Sequence, residues 1–144
     1  MICLELPIQT VSEANRESHE HWRTRHQRAK RQRVNVVYGL YEALKGEGIV
    51  GQAIALHIHL VRVSPRMLDE GDNLPASMKH VRDGILLALA RTKASTKRVL
   101  VGRGDGPNDG IRFTYGQEKS PRAHYQAVRI MIARETLTKK AVGE

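Results

Sequence analysis

The chain has 144 residues, with 24 Lys and Arg against 15 Asp and Glu, a formal net charge of +9 and a pI near 10.1. This length favours one domain with a buried core, and a hydrophobic share of 40% excludes compositional disorder. A single cysteine, Cys3, excludes an internal disulfide and a thiolate zinc site, and its apolar neighbours predict that it is buried. The charge predicts a polyanionic partner, most simply DNA or RNA, with a solvated basic surface as the alternative.

Composition and hydropathy argue against further classes of protein. Aromatic residues make up 4% of the chain, which argues against a platform of several aromatics such as single-strand binders use. The first residues lack the basic start and long apolar run of a signal peptide, and no segment reaches the ~18 apolar residues of a membrane span. We therefore expect a cytoplasmic protein without a membrane partner.

The N-terminal third predicts a strand followed by a long basic helix. Residues 2–8 form the strand, and the helix begins at Ser12 or nearer Ser18 and ends at about Lys45, before Gly46. Five residues at helical spacing predict its core face: Trp22, Ala29, Val36, Leu40 and Leu44. Six basic residues are candidate DNA contacts: Arg23, Arg25, Arg28, Lys30, Arg31 and Arg33. The alternative for this run is an ordinary solvated helix face.

The rest of the chain predicts a mixed α+β domain. Residues 52–63 alternate at strand period and place His57 and His59 on one face, either as a metal-binding pair or as packed or surface histidines. A helix follows near 74–91, capped by Asp72 or Asn73. Its core stripe comprises Met78, Val81, Ile85 and Leu89. Further strands are predicted at 98–101, 111–117 and 125–133, which gives a single domain with a sheet of about five strands.

An acidic cluster between the second strand and that helix is the clearest chemical feature. Asp69, Glu70 and Asp72 lie within four positions, and such a cluster in a basic protein needs a cation or a basic neighbour. Closely spaced carboxylates suit Mg²⁺. Asp105 lies in a turn-rich glycine loop between two predicted strands, and acids from the two loops are expected to meet on one cation at a sheet edge.

Two helix residues complete the candidate site. Lys79 lies two helical turns after Asp72 and can share the side of the acidic loop. Asp83 follows four residues later, where an ordinary exposed ion pair with Lys79 is the simpler expectation.

The order Asp72-Asn73-Leu74, then Lys79, Asp83 and a later Asp105, resembles the RusA family of Holliday junction resolvases over roughly residues 55 to 117. The segment with Asn15, His21, Trp22 and the basic run, and residues 115–118, are similar to phage-type members of that family. The first Asp of the family's Asp-x-Asp-Asn-Leu motif falls on Glu70, or on Asp69 if Gly71 is an insertion.

The resemblance implies a Mg²⁺-dependent, homodimeric endonuclease that spans residues 1–144 and resolves four-way DNA junctions in recombination and repair. It implies Asp72, Asp105 and either Glu70 or Asp69 as metal ligands, Lys79 as a catalytic residue, and structural roles for Asn73 and Asp83. The alternatives are a non-catalytic DNA-binding protein, such as a decayed family member, and a basic structural phage protein whose acidic loop is surface alone.

Overall fold

The computed structural model of the protein describes residues 1–11, 21–46, 55–68, 73–92 and 111–135. Its elements in chain order are β1 (Ile2–Leu6), α1 (Trp22–Gly46), β2 (Ala55–Ser64), α2 (Asn73–Ser77), α3 (Lys79–Thr92), β3 (Ile111–Lys119) and β4 (Ala127–Glu135). The predicted α+β domain with a long N-terminal helix and helical structure after the acidic motif is confirmed. The described residues form a sheet of four strands, and the further strand predicted at 98–101 lies outside them.

The sheet is mixed and has the order β1-β4-β2-β3. β4 pairs antiparallel with both β1 and β2, whereas β2 and β3 are parallel, from Leu56 opposite Ile111 to Ser64 opposite Lys119. Because β1, β2 and β3 run in the same direction, their last residues lie at one end of the sheet. We call this the upper end, and the end marked by Ile111 the lower end.

Helices α1 and α3 cover one face of the sheet and form the main core with it. Alternate residues of β2 and β4 point into this core, as the strand period predicts. The predicted stripe of the helix after the acidic motif is fully buried: Met78, Val81, Ile85 and Leu89. On the opposite face, a small cluster joins Val61, Val63 and Ala127, and Cys3 is exposed there rather than buried, since it occupies the outward position of an edge strand.

Helix α1 protrudes beyond the upper end of the sheet. At the end of β1, a Cβ on Gly39 would lie 2.6 Å from the side chain of Leu6. Three residues further along the chain, the Gln9 carbonyl accepts a hydrogen bond of 2.8 Å from Nε2 of Gln32, so the upward direction runs toward the start of α1. Trp22 lies ten residues before Gln32, which places it about 15 Å higher along the helix axis.

The described helix begins at Trp22, and His21 caps it: Nδ1 of His21 accepts a hydrogen bond of 3.1 Å from the N–H of Arg23. The predicted starts at Ser12 and Ser18 lie outside the described residues. The prediction that Trp22 belongs to the core face is wrong. Trp22 is 60% exposed and does not join the core. The other four residues predicted for the core face are buried, and Val36, Leu40 and Leu44 belong to the main core. In the described ranges, no helix is long and apolar enough to span a membrane.

Candidate nucleic-acid interface and acidic segment

The acidic segment, residues 69–72 with Asp69, Glu70 and Asp72, lies outside the described residues, as does Asp105. Both flanks of the acidic segment are described. Leu68 precedes it, four residues after β2 ends at the upper end of the sheet, and Asn73 follows it as the first residue of α2. The described residues of these two flanks therefore define the surroundings of the candidate metal site.

Gln117 holds the first flank. Its Nε2–H donates to the Leu68 carbonyl at 2.7 Å, and its Oε1 accepts from the Leu68 N–H at 2.9 Å. One half-buried amide of β3 thus satisfies both backbone groups of Leu68, as a neighbouring strand would. The residue immediately before Asp69 is therefore fixed to the sheet in distance and in orientation.

Arg62 and Ser64 support the same flank from β2. The buried Arg62 donates from Nε to the Thr10 hydroxyl at 3.0 Å and from Nη1 to the Arg66 carbonyl. The Ser64 hydroxyl accepts from the Arg66 N–H at 3.4 Å. Burial lowers the pKa of Arg62 from its usual value, and a guanidinium stays charged at neutral pH even so. Arg62 thereby ties the segment after β1 to the segment that leads into the acidic motif.

The sequence analysis did not identify Arg62 or Gln117 as functional residues. A signal for Arg62 existed, since its position continues the alternation of Ile58 and Leu60 and puts a charged residue on the buried face. A buried charge of this kind needs specific partners. For Gln117 the strand pattern gave no such signal, because half-buried glutamines are ordinary on an edge strand.

The second flank is anchored in the core. Leu74 is buried in the first turn of α2, and the Ser77 hydroxyl donates to the Leu74 carbonyl at 2.7 Å. The predicted helix over 74–91 is divided, since Met78 lies between α2 and α3. Pro75 lies in the first turn of α2, where a proline needs no partner for its backbone nitrogen.

Lys79 and Asp83 lie on the first turns of α3. Lys79 begins the helix with an exposed side chain, and Asp83 is half-buried one turn later. The prediction of an ordinary ion pair between them is wrong, because no ion pair among the described residues includes either side chain. The Lys79 ammonium is therefore exposed six residues after Asn73, on the side of the molecule where the acidic segment ends.

The basic run lies on the protruding half of α1. Three of its members are exposed and three are half-buried: Arg23, Lys30 and Arg31 in the first group, and Arg25, Arg28 and Arg33 in the second. At 100° per residue these side chains point around the helix and not to one side. Because Gln32 is bonded to Gln9 just after β1, the basic half of α1 lies toward the upper end of the sheet, where the first flank of the acidic segment is attached.

The predicted histidine pair lies on the face of the sheet opposite the helices. His57 Nε2 and His59 Nδ1 each lie 2.7 Å from the Thr114 hydroxyl. The pKa of His57 is lowered by burial and then by Arg112 and His59, while Glu135 opposes the shift. Among the described residues, no three His, Cys, Asp or Glu side chains are arranged to hold a metal ion. Hydrogen bonding to Thr114 fits the interpretation of packed surface histidines.

The segment that carries Asp105 lies outside the described residues, and the chain after it enters the sheet at Ile111, at the end opposite the acidic segment. Asp105 precedes Ile111 by six residues, and Ile111 begins β3 beside Leu56 at the lower end. Gln117, which holds Leu68, lies six residues along β3, or about 20 Å away at the rise of a strand. The two acid-bearing segments therefore attach to opposite ends of the parallel β2–β3 pair.

No protein-family model matches the chain, and no curated protein matches it significantly in sequence.

Proposed function

We propose that the protein is a phage-encoded, Mg²⁺-dependent endodeoxyribonuclease that acts as a homodimer and cuts four-way DNA junctions in recombination and repair. One observation supports the nuclease proposal most directly. The first flank of the acidic segment, Leu68, is bonded to Gln117 near the upper end of the sheet, and the basic half of α1 precedes Gln32, which is bonded to Gln9 beyond the end of β1. A protein that hydrolyses a phosphate backbone needs cations to hold the polymer beside acids that hold a metal. The resemblance to RusA-family resolvases supports the junction as substrate.

In this proposal Asp72 and Asp105, with Glu70 or Asp69, hold the metal, and their carboxylate oxygens have the hard donor chemistry that Mg²⁺ prefers. Bound Mg²⁺ would polarise the phosphate and lower the pKa of a coordinated water. Lys79 contributes a positive charge close to the developing negative charge of the leaving oxygen. Gln117 and Arg62 orient the chain that enters the acidic segment, and the basic half of α1 binds the DNA backbone.

The experiment is cleavage of a synthetic four-way junction, beside a linear duplex of equal length, with and without Mg²⁺. We expect junction cleavage that requires the metal. Asp72→Asn should abolish cleavage and keep junction binding, because Asn caps a helix about as well as Asp and the basic surface is unchanged. Glu42→Gln is the matched control, since it removes one exposed carboxylate on α1 and should cut at the wild-type rate.

Separate Asp69→Asn and Glu70→Gln variants identify the third ligand, because the true ligand alone should cost most of the activity. If Asp72→Asn cuts junctions at the wild-type rate in Mg²⁺, the catalytic proposal is wrong. Junction binding without any Mg²⁺-dependent cleavage by the wild type would instead favour the non-catalytic DNA-binding protein.

The salt dependence of binding tests the role of α1. Changing Arg23 and Arg31 together to Gln should reduce the slope of log affinity against log salt by about 1 to 2 units, since each phosphate contact contributes about 0.9. The matched control changes Arg112 and Arg134 to Gln, which removes the same charge at the lower end of the sheet. An equal effect of the two double variants would mean that the charge of α1 acts without a local contact.

A further inference from the structure

The exposed side chain of Trp22 has no role in the structure described so far. It lies seven residues before Ala29 and fourteen before Val36, so it continues the buried stripe of α1. At its height above the sheet nothing described covers it, and 60% of the residue is exposed. The indole therefore extends from the inward-facing side of the helix, above the end of the sheet to which the acidic segment is attached.

The immediate neighbours of this indole are cationic or aromatic. The His21 ring stacks against it at 5.7 Å between centroids with 29° between the planes. The Arg23 guanidinium lies 5.5 Å from the centroid of the indole ring. The hydrogen bond from the Arg23 N–H to the His21 ring fixes the turn that carries all three side chains. The indole is thus held in place before any ligand arrives, which reduces the entropy lost on binding.

We propose that Trp22 stacks on an unpaired base of single-stranded DNA, while Arg23 and Lys30 bind the adjoining phosphates. The proposal rests on the proposed function in taking DNA as the partner. A large aromatic surface beside cations is complementary to a nucleotide, which presents an apolar base beside a negative phosphate. Paired bases in a duplex are covered by their neighbours, so the stacking contact selects DNA with an unstacked base. The low aromatic content argues against a platform, but one stacking residue needs one aromatic.

Trp22 can be observed directly, because it is the only tryptophan in the chain. Its fluorescence is followed during titration with an unstructured oligothymidine and with a blunt duplex of equal length. Anisotropy of dye-labelled DNA measures binding independently in the same buffer. We expect saturating oligothymidine to quench the indole emission strongly and saturating duplex to change it little.

Variants give the second arm of the test. Trp22→Ala should weaken oligothymidine binding about tenfold and duplex binding less than twofold, and Trp22→Phe should restore most of the loss. Tyr38→Ala is the matched control, because Tyr38 is also an exposed aromatic residue on α1. It lies next to Gly39, which contacts Leu6 of β1, and so is far along the helix from Trp22. Equal quenching by both DNAs, or unchanged oligothymidine affinity in Trp22→Ala, would overturn the stacking proposal alone. No binding of either DNA by anisotropy would overturn the proposed function and the stacking together.

Discussion

At the scale of single residues, polar side chains of the sheet fix the approach to the acidic segment. Gln117 meets both backbone groups of Leu68, and Arg62 binds the Arg66 carbonyl from within the protein. Neither side chain belongs to the acidic motif. Each acts on the backbone that leads into it, so each is a positioning residue in the proposed enzyme. This distinction has a measurable consequence, since a positioning residue alters how well the metal is held.

Gln117→Glu should weaken the binding of Mg²⁺ more than it destabilises the fold. The carboxylate cannot donate to the Leu68 carbonyl and places a negative oxygen against it, which should lower the free energy of unfolding by about 1 to 2 kcal/mol. Cleavage should then need a higher Mg²⁺ concentration for its half-maximal rate, measured by titrating Mg²⁺ in the junction assay. Gln126→Glu makes the same chemical change just before β4 and should leave the Mg²⁺ dependence unaltered. A wild-type Mg²⁺ dependence in Gln117→Glu would show that Leu68 does not position the acids.

His57 makes the stability of the fold depend on pH. Burial, Arg112 and His59 hold its pKa below the usual 6.5, so the unfolded chain binds more protons than the folded protein between those two values. The contribution is complete above pH 6.5 and is lost as the pH falls toward the folded pKa. Urea unfolding should therefore show lower stability near pH 5.5 than near pH 7.5. His57→Gln should show a smaller decrease, and an identical decrease would assign the effect to other groups.

At the scale of elements, periodicity predicts the direction in which a side chain points but not how far a neighbouring element extends. Trp22 shares a helical face with Ala29 and Val36, so the sequence placed it in the core. Trp22 is exposed because α1 extends past the elements that cover its other apolar residues, and how far a helix extends past its neighbours depends on tertiary packing. The described strands were predictable because apolar and polar residues alternate along them. The parallel pairing of β2 with β3 was not, since alternation is the same for either direction.

Gly84 sets the spacing between α1 and α3. A Cβ at this position would lie 2.8 Å from the Cβ of Val36 and 3.1 Å from the Arg33 carbonyl oxygen, and neither atom can move without its helix. Gly84→Ala should therefore lower the free energy of unfolding by about 1 to 2 kcal/mol, even though Ala favours the helix by about 1 kcal/mol. Gly46→Ala is the control, because nothing lies within 4 Å of its Cβ. If urea unfolding shows Gly84→Ala to be as stable as the wild type, the helices tolerate separation.

At the scale of the whole molecule, the topology determines where the two acid-bearing segments leave the sheet. The sequence predicts that the turn-rich loop around Asp105 and the segment around Asp72 meet at one edge of a sheet. Parallel pairing of β2 and β3 instead attaches them to opposite ends, about 20 Å apart along β3. Six residues, from Asp105 to Ile111, reach about 20 Å only when fully extended. The sequence Asp-Gly-Pro-Asn-Asp-Gly between them favours turns and not extension.

A metal site shared between two chains would not require the acid-bearing segments of one chain to meet across the length of β3. The proposed homodimer makes this idea testable by mixing inactive variants. If Asp72 of one subunit works with Asp105 of the other, a dimer of one Asp72→Asn chain and one Asp105→Asn chain has one intact site and one doubly altered site. We expect co-expressed chains to regain nicking of one strand of a labelled junction, without the paired cuts of the wild type. Asp72→Asn mixed with the inactive variant of the third ligand, Glu70→Gln or Asp69→Asn, should stay inactive, because both changes lie in the same segment and impair both sites. Failure of the first mixture to nick, with mixed dimers verified by mass spectrometry, would place the acids of each site in a single chain.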